Sequence, residues 1–511
     1  MSVARARLLA QVARQLVAEE AAQTVRSARA GDPGGASAQQ RRAVSVREAF
    51  ERLGPLYVKV GQILSTRPDI VPPAVAHELE SLHDRAVVLP FAAMEPVLRE
   101  ALGHGWRGAF RTFDVQRPLG AASLAQVYAA TLADGTPVAV KVQRPGIRPV
   151  VEDDMRMLRR AARFFARRAP RFSATIDVDA MLGVVFDAMR PELDFTVEAR
   201  NTERGRAAAR RFEHLDVPRV VDATEKVMIQ SLAPGTVIRD ADRDAFKDEQ
   251  RAAIGRDLLS FMFQGYFTDL TFHADPHPGN VFVAPGQPAT LIDWGMVGRV
   301  DRRLSMSLVL SLLSVAQNDG TALARSWVEM GRATPWADVG AFIQDMTALV
   351  PQVATASLEE LDFGATLTRA LTRATRRGIQ TSPMVSILGK SFANLEGSVR
   401  CLAPELRVIE VFQDNLRDIL LGYARDALSE VQLARTGLEL LLGALHLPGQ
   451  ARDLARDLAN HELAVQVGDV SKGDLSPLHQ RADARWKKTL RAAAALAAVH
   501  WWTQGRHHRR P

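Results

Sequence analysis

The sequence predicts an α+β fold of two unequal units, a small strand-rich one followed by a larger helical one, with helical extensions at both ends. Three observations carry this. Residues suited to strands crowd 110–142 around an Asp134-Gly135 hairpin signal, and two more short strands fit 217–221 and 227–232. From about 244 to 447 the apolar spacing is almost wholly helical, except for a Pro/Gly/Asp-rich stretch at 273–298. The chain has 511 residues, 47% of them hydrophobic, enough to bury a core in each unit without disulfides.

In chain order, 3–29 reads as an amphipathic helix with Leu8, Leu9, Val12 and Leu16 at helical spacing, and Gly31-Asp32-Pro33-Gly34-Gly35 breaks it as a linker. From Ser45, read as an N-cap, a second helix runs to Leu53, is interrupted by Gly54-Pro55, and resumes over 57–64 before Pro68. Further helices are expected near 73–84, 90–102, 147–168 and 178–206. No internal repeat is evident. The units are therefore 1–43 (helix and linker), 44–105 (helical extension), 106–235 (small mixed unit), 236–447 (helical unit) and 448–511 (tail).

The single cysteine, Cys401, excludes a disulfide framework or a multi-thiolate zinc site and fits a reducing compartment. A formal charge of +7 favours anionic partners such as phosphates and acidic headgroups. With 6% aromatic residues and no basic–aromatic interleaving, no nucleic-acid partner is expected. No stretch reaches the roughly 18 apolar residues of a transmembrane helix; the nearest, Ala492 to Trp502, would span about 17 Å as a helix, against a hydrocarbon core of about 30 Å. The N-terminus lacks the apolar core of a signal peptide, and Glu19 and Glu20 argue against a transit peptide. The expected location is the cytoplasm, or the inner face of the cytoplasmic membrane as a peripheral protein.

The chemistry is concentrated in His273-Ala274-Asp275-Pro276-His277-Pro278-Gly279-Asn280. Kinase catalytic loops place an Asp after His-x and an Asn five residues beyond it, the Asp to orient the attacking hydroxyl and the Asn to reach a metal on the phosphates. Asp275 and Asn280 have that offset. A rival reading takes His273 and His277 as zinc ligands at i, i+4. That needs a helix, which Pro276 and Pro278 forbid. A purely structural loop is the plain alternative. After Asn280 comes Thr290-Leu291-Ile292-Asp293-Trp294-Gly295, an apolar strand delivering an Asp followed by an aromatic and a glycine, the pattern of the kinase metal-binding Asp.

Upstream, Lys141 stands late in a β-branched strand, poor core material without an anionic partner. In kinases such a lysine holds the α/β-phosphates and pairs with a helical glutamate, for which Glu198 is the first candidate and Glu192 the second. A snorkelling edge-strand lysine is the plain reading. The nucleotide-covering loop expected before it is Gly120-Ala121-Ala122-Ser123-Leu124-Ala125, where alanines largely replace the glycines of standard kinases and restrict φ. Gln230 and Leu232 lie where the hinge to the adenine is expected.

On these residues the chain resembles the UbiB/AarF family of atypical protein-kinase-like proteins over roughly 45–400. The likeness rests on K-x-G-Q at Lys59, Gly61 and Gln62, the alanine-rich loop, the Lys141 strand, and E-x-D at Glu192 and Asp194. The run His273 to Asn280 and the Asp293 motif complete it. The resemblance implies a bilobal kinase-like fold whose N-terminal extension covers the site, ATP and Mg²⁺ as cofactors, and Lys59 and Gln62 facing the nucleotide with Glu192 near Lys59. It also implies support of ubiquinone or other isoprenoid-lipid metabolism at a membrane, by proteins that behave more as ATPases than as protein kinases.

The chain departs from the family pattern at Gly120, Ala125, Trp294 (in place of Phe) and Gln230-Ser231. It also lacks the terminal transmembrane helices of many relatives. Its tail instead sets Trp486, Trp501 and Trp502 among Arg485, Lys487, Lys488, Arg491, Arg506, Arg509 and Arg510, which suits a membrane surface as well as a docking helix.

The expectation is thus a Mg-ATP-dependent ATPase or phosphotransferase, with a quinone precursor or isoprenoid lipid and a membrane surface as partners. The readings held against it are a nucleotide-gated lipid-binding pseudokinase and a kinase for small-molecule or protein hydroxyls.

Overall fold

A computed structural model describes residues 36–428 apart from 66–70, 81, 83–86, 169–177, 335, 355 and 361–362, together with scattered positions between 5 and 18. The expected helix 3–29 falls largely outside these residues; the linker 31–35 and the basic, tryptophan-bearing tail fall wholly outside them.

The strands of the small unit are β1 (Phe110–Phe113), β2 (Gly120–Ala121), β3 (Ala125–Leu132), β4 (Pro137–Gln143), β6 (Val220–Ala223) and β7 (Val227–Ser231), with β5 (Leu215–Asp216) going to the large unit. They form an antiparallel sheet of order β1-β3-β4-β7-β6, with β2 paired to β3. The β3–β4 turn is the expected hairpin: Asp134 Oδ1 accepts from Thr136 N at 2.9 Å, and Gly135 takes φ +90°. Successive strand residues face opposite ways. Val138, Val140 and Val142 are fully buried against Met94, Val97 and Leu98 of the helix Phe91–Leu102. The same alternation turns Lys141 to the other face, toward the large unit. The helix Phe91–Leu102, grouped with the extension in the sequence reading, thus shares the sheet's core.

A second core joins the extension to the helices after β4. Helices α1 (Ala36–Leu53), α2 (Pro55–Ser65) and α3 (Pro73–Glu80) pack with Ile147–Arg168 and Val178–Glu192 through Leu56, Leu79, Phe186 and Met189. Gly54, at φ +97°, makes the bend between α1 and α2. Gly61 lets α2 approach closely, because a Cβ there would stand 2.3 Å from Leu82 Cδ1 and 2.8 Å from the Phe50 ring.

The large unit is built on the helices Asp248–Phe267, Arg302–Ala316, Gly320–Met330, Val339–Val353, Phe363–Arg376, Pro383–Leu402 and Val408–Ala427. Its strands are β8 (Thr236–Val237), β9 (Thr271–His273), β10 (Val281–Val283), β11 (Ala289–Leu291) and β12 (Val297–Arg299). The last four carry the 273–298 stretch across the face toward the small sheet. A further short pair, Gly331–Ala333 with Ile379–Thr381, interrupts the helical pattern. Among the described residues no helix is long and apolar enough to cross a membrane.

Three expectations are corrected. Ser45 is no N-cap. It lies inside α1, where its hydroxyl bonds back to Arg41 O at 3.1 Å, a local alternative that serine takes mid-helix as readily as at a cap. The helix expected over 178–206 is two, Val178–Glu192 and Phe195–Ala209. They are divided where Asp194 turns extended and caps the second by accepting from Thr196 N at 3.0 Å. The strand expected at 217–221 is two pieces around Pro218, which has no N–H for a continuous ladder. On one side β5 joins the large unit's sheet, of order β5-β11-β10-β8, and on the other β6 joins the small sheet.

Candidate active site

A chamber of about 990 Å³ opens between the two units and the extension, lined by Lys59, Gln62, Lys141, Glu192, Asp275, Asp293, Lys390 and Asn394 among others. At its centre Lys141 Nζ lies 2.8 Å from both Glu198 carboxylate oxygens and 3.0 Å from Asp293 Oδ1, and 5.2 Å above the Phe195 ring. Two local signals aim these groups. Strand alternation turns Lys141 toward the chamber, and the Asp194 cap starts the next helix so that Glu198 falls in its first turn, where a carboxylate is favoured. Glu198 is 1% exposed. Burial pushes its carboxyl up to about 7, against the pull of Lys141. Burial also works against the Lys141 ammonium, but Asp293 and Glu198 outweigh it and hold the lysine above its ordinary value. Lys141 holds Asp293 well below the usual carboxylate range.

Asp293 takes φ +61°, left-handed backbone that a non-glycine residue adopts at a cost and that Asp tolerates better than most. Its neighbours fix that turn. The Trp294 indole donates to Leu291 O at 3.1 Å, stands edge-on to His273 at 4.9 Å, and fits only because Gly205 faces it; a Cβ there would lie 2.3 Å from the ring. The tryptophan that departs from the family pattern is thus accommodated by a glycine on the Phe195–Ala209 helix.

The 273–280 loop is tied down at every turn. His273 is wholly buried, its Nε2 3.1 Å from Ile292 O and its Nδ1 accepting from Asp275 N at 3.2 Å. His277 Nδ1 accepts from Gly279 N at 3.0 Å. Asn280 Nδ2 donates to Asp275 O at 3.1 Å, and its Oδ1 accepts no hydrogen bond from a described residue. For Asp275 burial opposes ionisation, but Lys390 and, behind it, His277, Lys59 and His273 hold the carboxyl below its ordinary value. An uncommitted amide oxygen on Asn280 and the second carboxylate oxygen of Asp293, on a half-exposed side chain, are the hard oxygen donors that Mg²⁺ takes together with phosphate oxygens. The donor set fits that ion.

From the extension, Lys59 Nζ lies 2.6 Å from Glu192 Oε1 and 3.0 Å from Met296 Sδ. Gln62 lines the chamber and donates to Leu82 O at 3.3 Å. Asp194 serves as the helix cap rather than as a chamber wall. In the covering loop Ala122 and Ser123 line the chamber, whereas Gly120 and Ala121 form the short strand β2 behind it. Gly120 is not at positive φ and a Cβ on it would meet nothing, so its backbone does not require glycine. Gln230 pairs with Ala139 in the ladder and Leu232 N donates to Pro137 O at 3.2 Å; neither lines the chamber.

The sequence reading expected helix here but missed the part that Pro383–Leu402 plays in the site. Ser391 Oγ donates to His273 O at 2.7 Å, Asn394 Nδ2 to Asp275 Oδ1, and Ser398 Oγ to Pro276 O at 2.8 Å, while Lys390 lies 3.8 Å from Asp275. Its signal was three small polar residues at i, i+3 and i+7, which alone read as a solvent face.

The ABC1 atypical kinase-like domain family matches residues 81–327. The probable protein kinase UbiB of Azotobacter vinelandii is 34% identical over 382 residues, covering 72% of this chain and 69% of its own. That of Pseudomonas fluorescens is 30% identical over 472 residues, covering 90% and 84%. Among solved structures, Rv3197 of Mycobacterium tuberculosis, determined in complex with erythromycin, matches with a TM-score of 0.51 at 23% identity over 70% of this chain and 90% of that one. This last is a likeness of fold, and the fold is the bilobal kinase-like one. The chain belongs to the UbiB family of ABC1 atypical kinase-like proteins.

Proposed function

We propose that this protein binds Mg-ATP in the chamber and hydrolyses or transfers its γ-phosphoryl group, in support of isoprenoid-quinone or other lipid metabolism at a membrane surface. One observation carries the nucleotide reading: Lys141 bridges Glu198 and Asp293 in the chamber that Asp275 also lines. The lipid link rests on the family resemblance. In this reading 44–105 without the helix Phe91–Leu102 is the cover, 106–235 together with that helix is the nucleotide-binding lobe, and 236–447 is the lobe that carries the reacting groups; the protein is cytoplasmic and peripheral at the membrane.

Lys141 would hold the α/β-phosphates, oriented by Glu198 from within the core. Asn280 Oδ1 and Asp293 would hold the ion. Bound Mg²⁺ supplies charge neutralisation along the phosphates. Asp275 would orient the attacking water or hydroxyl; a carboxyl held below its ordinary pKa is a weak base, so orientation is its larger share. Positioning and charge neutralisation suffice because phosphoryl transfer needs little covalent help.

Phosphate release from Mg-ATP by the full-length protein, with and without anionic liposomes carrying a phenolic quinone-precursor mimic, tests the reading. Asp275→Asn should abolish turnover while sparing nucleotide binding, and Asp293→Asn should abolish metal-dependent binding. Turnover unaffected by either change sinks the assignment. Tight binding without turnover in the wild type would favour the nucleotide-gated binding protein, which the covering helix and its Lys59–Glu192 pair also suit.

A further inference from the structure

Two lysines of the chamber are satisfied very differently. Lys141 makes three hydrogen bonds to carboxylate oxygens. Lys390, on the Pro383–Leu402 helix, makes none to a described residue. Its one ion pair among them is with Asp275 Oδ1 at 3.8 Å, beyond hydrogen-bond reach, and its side chain is 26% exposed toward the chamber. An ammonium carries three donors. One that is three-quarters buried with all three unmet by the described residues is set to meet an anion, because lysine is seldom sequestered without a partner.

The carboxylate beside it is held from the same helix. Asn394, one turn beyond Lys390, donates to Asp275 Oδ1, and Ser391 and Ser398 fix the loop carbonyls on either side of Asp275. The helix therefore fixes both the orientation of Asp275 and the distance from Asp275 to the cation.

We propose that Lys390 is a second phosphate-binding cation, which takes the γ-phosphoryl group of ATP on the acceptor side, and that Asn394 is the positioning residue that aims Asp275 at the attacking oxygen. This rests on the nucleotide reading above. In the step concerned, the oxygen of water or of an acceptor hydroxyl forms its bond to the γ-phosphorus as the bond to the β–γ bridging oxygen breaks. The electron pair leaves on the β-phosphate of ADP, and the proton of the attacking oxygen passes to Asp275 or to a phosphate oxygen. Lys141 serves the leaving side and Lys390 the side where the transferred group arrives. Charge spread over the equatorial oxygens of a loose transition state is then met from both lobes.

Because ADP lacks the γ-phosphate, the test is the ratio of Mg-ATP to Mg-ADP affinity, measured by titration calorimetry on the full-length protein. For Lys390→Met that ratio should fall about tenfold, the worth of a charge-assisted contact, with ADP affinity unchanged. Lys390→Arg should restore most of it. Phosphate release by Lys390→Met should drop by roughly a hundredfold or more. Asn394→Ala should keep both affinities and lower kcat at constant KM, a split that a merely structural role for Asn394 would not give.

Lys390→Met has no hydrogen bond to a described residue to lose, so its melting temperature should stay with that of the wild type. If it does not, the Arg variant carries the comparison. An unchanged ATP/ADP ratio in Lys390→Met, or equal losses for the two nucleotides, overturns the inference while leaving the nucleotide reading standing. A wild type that binds neither nucleotide overturns both.

Discussion

Lys141 and Lys59 reach into one chamber and each pairs with a glutamate, yet the two pairs are built for different ends. Lys141 rises from the middle strand of an antiparallel sheet, and its partner Glu198 is 1% exposed at the start of a capped helix. Lys59 comes from the short helix Pro55–Ser65, its partner Glu192 ends another helix and keeps 20% of its side chain exposed, and a thioether is among its neighbours; the two lysines themselves are both only partly covered. A glutamate in the core cannot let go of its lysine without being stranded there, whereas one with solvent access can exchange the lysine for water. The first is suited to hold a site in place, and the second to a cover that opens and closes.

The largest effect expected from this contrast is at Glu198. Glu198→Ala takes two of the three carboxylate hydrogen bonds from Lys141 and leaves it Asp293, and hydrogen bonds to a charged group contribute about 1.5–3 kcal/mol. Chemical denaturation should show a loss of that order, together with loss of nucleotide binding. A change below about 1 kcal/mol would mean that the pair is not the rigid element it is taken to be.

A smaller effect, of defined sign, comes with pH. Folding raises the Glu198 carboxyl from 4.5 to about 7. Between those values the native protein holds a proton that the unfolded chain has released, so this group's contribution to stability is full below about 4.5 and falls as pH rises toward 7. Function runs the other way, since Lys141 gains its second carboxylate only as Glu198 ionises. Nucleotide affinity should therefore rise through about pH 7 while this part of the stability declines. Asp275 and Asp293 are held below their ordinary values and do not titrate there. Glu198→Gln should flatten the affinity profile near 7; a profile that keeps its step would assign the step elsewhere.

The same contrast marks what could be read from the chain. Lys141 was legible because strand alternation with three buried valines leaves it one face to occupy. Asp275, Asn280 and Asp293 were legible because their fixed offsets fall on an irregular loop, where no helix or strand period would impose them. Glu198 was the first of two candidates for the helical glutamate that a lysine such as Lys141 needs, although the break between 192 and 195 that sets its position was not anticipated. The clamp from Ser391, Asn394 and Ser398 was not legible. It joins segments more than a hundred residues apart, and serines on a helix give no local sign that they are buried, as Ser391 and Ser398 are at 0% exposure. The switch of sheets at Pro218 was missed because β-branched residues on both sides suit one strand, and only the missing N–H marks the division.

The smallest effect on stability is expected at the cover, and it sharpens the comparison most. Lys59→Met removes a pair whose glutamate has partial solvent access and keeps an apolar chain beside Met296, so melting should move by no more than about 1 kcal/mol in stability. Its electrostatic reach is longer, because Lys59 helps to hold both Asp275 and Asp293 below their ordinary values. The variant should thus fold as the wild type does, yet show altered turnover and nucleotide exchange with the acid limb of its activity shifted upward. If Lys59→Met instead destabilises the protein as much as Glu198→Ala, the two pairs are equivalent structural locks, and the view of the extension as a cover that releases has no physical basis.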